Sequence, residues 1–223
     1  MKSISVAPYV AWCTVLSGVI GLVGFIFLLL FYTVEVPAML EQGQLTDRPQ
    51  TFGTLNDASF IFVALLLLPG ALAFYRSTKT KASAMSLLAL VIGIVGLLTM
   101  AIIQTLYVSR IITASPVSDQ LITLPFGVVG AWLLLVCIAG RSTRTLPAGL
   151  VWLGIASGVG MVLLPVTYFF AGAPQASDLQ AEMPGIPALI GFGLGVLGQT
   201  LGWPVWATWL GLTMLRTREA ATA

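Results

Sequence analysis

Six long apolar runs, separated by shorter polar connections, account for most of the chain. They lie at about 10–32, 58–75, 83–108, 121–140, 147–171 and 187–215, and none of them contains Asp, Glu, Lys or Arg. A helix needs about 20 such residues to cross a hydrocarbon core about 30 Å thick, and a charge at mid-membrane would cost about 2.5–3.5 kcal/mol. Barrel strands are excluded because they would alternate apolar and polar over about ten residues, whereas these runs are continuously apolar. The pattern predicts an all-α fold: one polytopic membrane helix bundle over residues 1–223, with six transmembrane helices. The connection 33–57 is the only long one and reads as an outer loop over the bundle. The first run exceeds the apolar core of about 7–15 residues found in secretory signals, so it is expected to remain as an anchor.

Charge orients the bundle. Two nearly identical basic stretches, RSTKT from Arg76 and RSTRT from Arg141, each connect two apolar runs. With six spans, both termini share a side with these turns. That side holds Lys2, Arg76, Lys79, Lys81, Arg141, Arg144, Arg216 and Arg218, while seven of the eight acids fall on the other. The positive-inside rule places both termini in the cytoplasm. The offset 141 − 76 = 65 also sets Gly93 on Gly158, Leu88 on Leu153 and Leu98 on Leu163, which suggests a parallel repeat of helices 2–3 and 4–5. Convergence on a basic turn explains the match of the turns equally well.

Composition agrees with the spans: 58% hydrophobic, 8% charged, and a mean hydropathy of +1.00. Soluble domains carry about a quarter charged residues. Small residues four apart (Ser17/Gly21, Gly154/Gly158, Gly191/Gly195, Gly198/Gly202) allow close helix packing, inside the bundle or between copies. Pro69, Pro165 and Pro204 are expected to kink their helices.

Candidate chemistry is sparse. The chain has no histidine, and its two cysteines, Cys13 and Cys137, lack metal-site spacing. No lysine lies within a span. No catalytic residue, metal ligand or cofactor is expected, and the protein reads as a non-enzyme. The polar groups bordering the spans cluster toward the outer side. Glu35, Asp57, Gln104, Tyr107 and Tyr168, with Gln199 deeper in the sixth run, form the candidate ligand-binding set, and Tyr32 and Thr167 project to the same level. Glutamines and threonines also serve as interhelical hydrogen-bond partners, tyrosines as interfacial belts, and Asp57 as a cap for the second helix. The acidic outer face would repel anions and admit cations or neutral molecules.

The run LPAGLVWLGIASGVGMVLL, with AWLLL upstream, resembles uncharacterised bacterial six-helix integral membrane protein families. The likeness covers helices four and five. It implies six spans and a bacterial cytoplasmic membrane, and it brings no site residues. Two functional readings stand. One is a non-catalytic accessory, scaffolding or regulatory subunit of a membrane complex. The other is a small permease, exporter or lipid-handling protein with an outward-facing polar pocket. The expected partners are membrane lipids together with other membrane subunits or a second copy of the chain, and not nucleic acid.

Overall fold

The computed structural model describes residues 7–41, 50–112, 116–171 and 186–222, and among these every regular element is helical. In chain order they are α1 (Pro8–Leu30), the π-helical turn π1 (Phe31–Glu35), α2 (Val36–Glu41), α3 (Thr51–Thr78), α4 (Ser83–Val108), α5 (Pro116–Thr143), α6 (Ala148–Ala171), α7 (Ile186–Leu197), the turn π2 (Gly198–Gly202) and α8 (Trp203–Thr222). Six spans are long and apolar enough to cross a membrane: Pro8–Met39, Thr51–Thr78, Ser83–Val108, Gln120–Thr143, Ala148–Phe170 and Ile186–Arg216. The first runs through α1, π1 and α2, and the sixth through α7, π2 and α8. The chain is an integral membrane protein.

The connection at 33–57 is shorter than its polarity suggested. Residues 33–41 continue the first span, and α3 begins at Thr51, so the helix absorbs TFGTLND. Polar residues at a helix end in the interfacial zone are hydrated and cost little, which is why hydropathy alone ended the span too early. Residues 42–49 lie outside the described segments, as do Lys2, Asp47, Arg48, Asp178 and Glu182 from the charge tally.

The spans form a ring in chain order. α1 packs on α3, α3 on α4, α4 on α5, α5 on α6 and α6 on α7, and α8 closes the ring against α1. Side chains such as Phe170, Ile186 and Ile102 point outward, as lipid contact requires. The basic turns meet at one end, where the Lys81 ammonium donates to the Thr143 carbonyl oxygen at 3.5 Å. Arg144 and Arg110 each sit just past a helix end with positive φ, 55° and 58°. Each lets the next amide close back on a carbonyl five residues earlier: Thr145 N–H to Gly140 O at 2.9 Å, and Ile111 N–H to Leu106 O at 3.0 Å.

The 65-residue offset also relates helix bounds. It carries Thr51 and Thr78, the ends of α3, onto Pro116 and Thr143, the ends of α5, and Ser83 onto Ala148, the starts of α4 and α6. Six buried positions of α3 fall on buried positions of α5, while Asn56, Ser59, Val63 and Ala73, also buried, fall on the exposed Leu121, Leu124, Val128 and Ile138. Phe60, Ala64, Leu67, Ala71, Phe74 and Thr78 correspond to Pro125, Val129, Trp132, Val136, Ala139 and Thr143, all of them buried. Thr78 and Thr143, both buried, donate to the carbonyls of Phe74 and Ala139, themselves 65 apart.

In lipid no hydrophobic effect drives helices together, so contact depends on close backbones and hydrogen bonds. The small-residue pairs serve this purpose within the chain. Gly21 abuts Pro204, Gly154 faces Cys137 and Trp206, Gly158 faces Gly130, Gly191 and Gly195 receive Thr167 and Leu164, and Gly198 and Gly202 both lie on Ser157. Ser17 donates across the α1–α3 contact to the Val63 carbonyl at 3.0 Å.

Candidate functional site

Two prolines shape the helices that deliver the site. A helical proline lacks an N–H, and its ring collides with the carbonyl four residues back. Pro37 and Pro204 therefore disturb the turns holding Thr33 and Thr200. Just before each proline the helix widens to the π register: Val36 N–H bonds Phe31 O, and Trp203 N–H bonds Gly198 O, each five residues back. The threonine hydroxyls bond their own helices, Thr33 to Leu29 O at 2.7 Å and Thr200 to Val196 O at 2.6 Å. Single π turns inside α-helices often occur at functional positions. Here π1 carries Tyr32 and π2 carries Gln199, and both line one cavity.

That cavity, of about 340 Å³, occupies the end of the bundle away from the basic turns, and every span contributes to it. Leu28 and Tyr32 come from the first span, Asn56, Asp57 and Phe60 from α3, and Gln104 and Tyr107 from α4. α5 adds Ile122, Thr123 and Phe126, and α6 adds Leu164 and Tyr168. Phe192, Val196 and Gln199 complete it from the sixth span. On the sixth span the lining runs from Phe192 to Gln199, seven residues or about 10 Å along the helix. Phe60 and Phe126 meet edge to face at 4.9 Å in its lining. Farther along α5 toward the basic end, Trp132 and Trp206 meet in the same manner at 6.2 Å and fill the core.

The polar groups in the cavity are unevenly satisfied. Gln104 and Asn56 are 2% and 7% exposed, yet the side-chain oxygens of Asn56, Gln104 and Gln199 are buried without a hydrogen-bond partner. Such groups cost free energy unless something pairs with them, about 1–3 kcal/mol each from mutational data. The Asn56 amide donates to the Asp57 carboxyl at 3.5 Å, a long contact. Thr123 donates to Gln120 O at 2.9 Å. Among the described residues no Lys or Arg lines the cavity. Among the described residues no group of three or more Cys, Asp and Glu side chains is placed to hold a metal ion.

Of the six residues singled out in the sequence, Asp57, Gln104, Tyr107, Tyr168 and Gln199 line this cavity, and Glu35 does not. The two Glu35 oxygens accept the Phe52 and Gly53 amides at 3.0 and 3.3 Å, which ties π1 to the first turn of α3. Glu35 does the capping expected of Asp57, because α3 starts six residues before Asp57 and not beside it. Thr167 donates to Leu163 O and packs on Gly191, away from the cavity. Asn56 and Thr123 went unnoticed in the sequence, the first because it lay in an apparent loop. The signal for the widened turns was there, as the repeated Thr-x-x-x-Pro of TVEVP and TLGWP.

Compared with protein-family models, curated proteins and solved structures, the chain matches none.

Proposed function

We propose that this chain is a non-catalytic, multi-pass protein of a bacterial cytoplasmic membrane that binds a small organic ligand from the outer side, as a permease, exporter or lipid-handling bundle does. The carrying observation is the cavity of about 340 Å³ into which all six spans send side chains, with three buried amide oxygens unpartnered. Its size falls in the range of small-molecule sites, about 300–1,000 Å³, and a mostly apolar wall with a few convergent polar groups is what such sites have. A bundle built only to hold itself together would close this space or satisfy those oxygens. The accessory-subunit reading draws on the missing catalytic residues, the short cytoplasmic loops and the glycine faces, and of these the paired glycines face neighbouring helices of the same chain. The cytoplasmic placement of the termini rests on Arg76, Lys79, Lys81, Arg141, Arg144 and Arg216 lying at the end opposite the cavity.

The test is chemical. Full-length protein purified from its native membrane is denatured, and the small molecules released are identified by mass spectrometry, alongside an Ile122→Trp variant that fills the cavity from α5. A molecule released by the wild type and absent from the folded variant supports the reading. Identical release profiles from the two proteins overturn it.

A further inference from the structure

We infer that the ligand of this cavity is a protonated organic amine. The inference rests on the reading of the cavity as a ligand site and names the class of molecule that fits it.

Three features point the same way. First, Asp57 is half-buried and is the one Asp or Glu among the described lining residues, which include no Lys or Arg. A buried carboxylate without a counter-charge is costly, and a cationic ligand would supply one. Second, three lining residues carry a buried side-chain oxygen with no partner, Asn56 Oδ1, Gln104 Oε1 and Gln199 Oε1, whereas the buried unpartnered donors among the described residues, the indole N–H groups of Trp203 and Trp206, lie outside the lining. An ammonium group bearing N–H bonds donates to several acceptors at once and needs none in return, so it matches this set where an alcohol or a carboxylate does not. Third, Tyr32, Phe60, Tyr107, Phe126, Tyr168 and Phe192 surround the space. Aromatic faces attract cations electrostatically, and more strongly where water is excluded. They also accommodate the apolar body of an organic amine.

Size argues against a bare metal ion. The cavity, about 340 Å³, is many times the ~30 Å³ share of one water molecule, and a hard cation needs six or so oxygens at about 2.0–2.6 Å. An anion would find no positive charge among the described residues of the wall. Of the described side chains at this end, Glu35 and Asp57 are acidic and Arg110 basic, a balance that favours the approach of cations.

The experiment is isothermal titration of the full-length protein in lipid nanodiscs with four probes of one shape: benzylammonium, benzyltrimethylammonium, benzyl alcohol and benzoate. Benzylammonium is expected to bind at least about tenfold more tightly than the alcohol, a difference of about 1.4 kcal/mol, with benzoate weakest. Asp57→Asn is expected to reduce benzylammonium binding to the level of the alcohol. Should Asp57→Asn not fold, Gln104→Met removes one acceptor at nearly constant volume and is expected to weaken the ammonium selectively. Equal binding of alcohol and ammonium, or ammonium binding unaffected by the variants, would overturn the inference and leave the cavity a site for neutral molecules. Benzyltrimethylammonium binding as tightly as benzylammonium would overturn the requirement for N–H donors. Failure of all four probes to bind, with an identical release profile from the Ile122→Trp variant, would overturn the ligand-site reading itself.

Discussion

Replacing Glu35 with alanine separates a structural clamp from a ligand contact. Its oxygens accept two amides of the first turn of α3, Phe52 at 3.0 Å and Gly53 at 3.3 Å. These amides belong to the group of N–H donors that a helix start leaves without internal partners. Loss of a side-chain cap costs about 0.5–2 kcal/mol, and a negative charge beside a helix N-terminus adds about 0.3–1 kcal/mol. Hydrogen bonds to charged groups reach about 1.5–3 kcal/mol where water is absent, but Glu35 is only half-buried near the interface, so solvent replaces part of the loss. Glu35→Ala should therefore destabilise the bundle by about 1–2 kcal/mol. Glu35→Gln keeps an acceptor and should lose about half of that. Unfolding in mixed micelles with rising SDS, followed by tryptophan fluorescence, gives the stability, and titration of the ligand gives the affinity. The expected outcome is lower stability with unchanged affinity. Unchanged stability with lost affinity would refute the clamp and return Glu35 to the ligand set.

Other expectations follow from separate parts of the structure. In a protein with Cys13 and Cys137 replaced by alanine, Ile111→Cys should react with a membrane-impermeant maleimide in intact cells and Thr80→Cys only after lysis; the reverse would invert the topology. Gly154→Val would push a branched side chain at Cys137 and Trp206, and overpacking of this kind costs about 1–3 kcal/mol, readable by the same SDS titration. Pro204→Ala restores the missing N–H and should return π2 to the α register, turning Gln199 and reducing ligand affinity several-fold. An unchanged affinity would remove the π turn from the site.

The six spans, their helical nature and the charge asymmetry were legible because each follows from a one-dimensional signal: long apolar runs, or basic residues in short turns. Span ends were less legible. Thr51–Asp57 reads as loop by hydropathy, yet the helix continues through it into the interface. The convergence of Asp57, Gln104, Tyr107 and Tyr168 was partly legible, since each sits at a similar depth on its helix; Gln199 lies deeper, and depth alone does not say which way a side chain turns. Glu35 sits at that depth too and turns instead to the start of α3. The roles of Pro37 and Pro204 required the widened turns to be seen, because a proline within a span announces a disturbance without saying whether the helix bends or changes register. The 65-residue offset was visible at the basic turns; it recurs in the helix ends and in only part of the buried positions of α3 and α5.

Water access to Gln199 tests the central claim most directly, since hydropathy places this residue deep in the sixth span and the structure places it in the cavity. In the cysteine-free background, Gln199→Cys is exposed to a small membrane-impermeant thiol reagent from the outer side, with and without Ile122→Trp. The account predicts modification in intact cells, from the same side as Ile111→Cys, and marked slowing when tryptophan fills the cavity. No modification, modification only from the side of Thr80, or a rate indifferent to Ile122→Trp would contradict it.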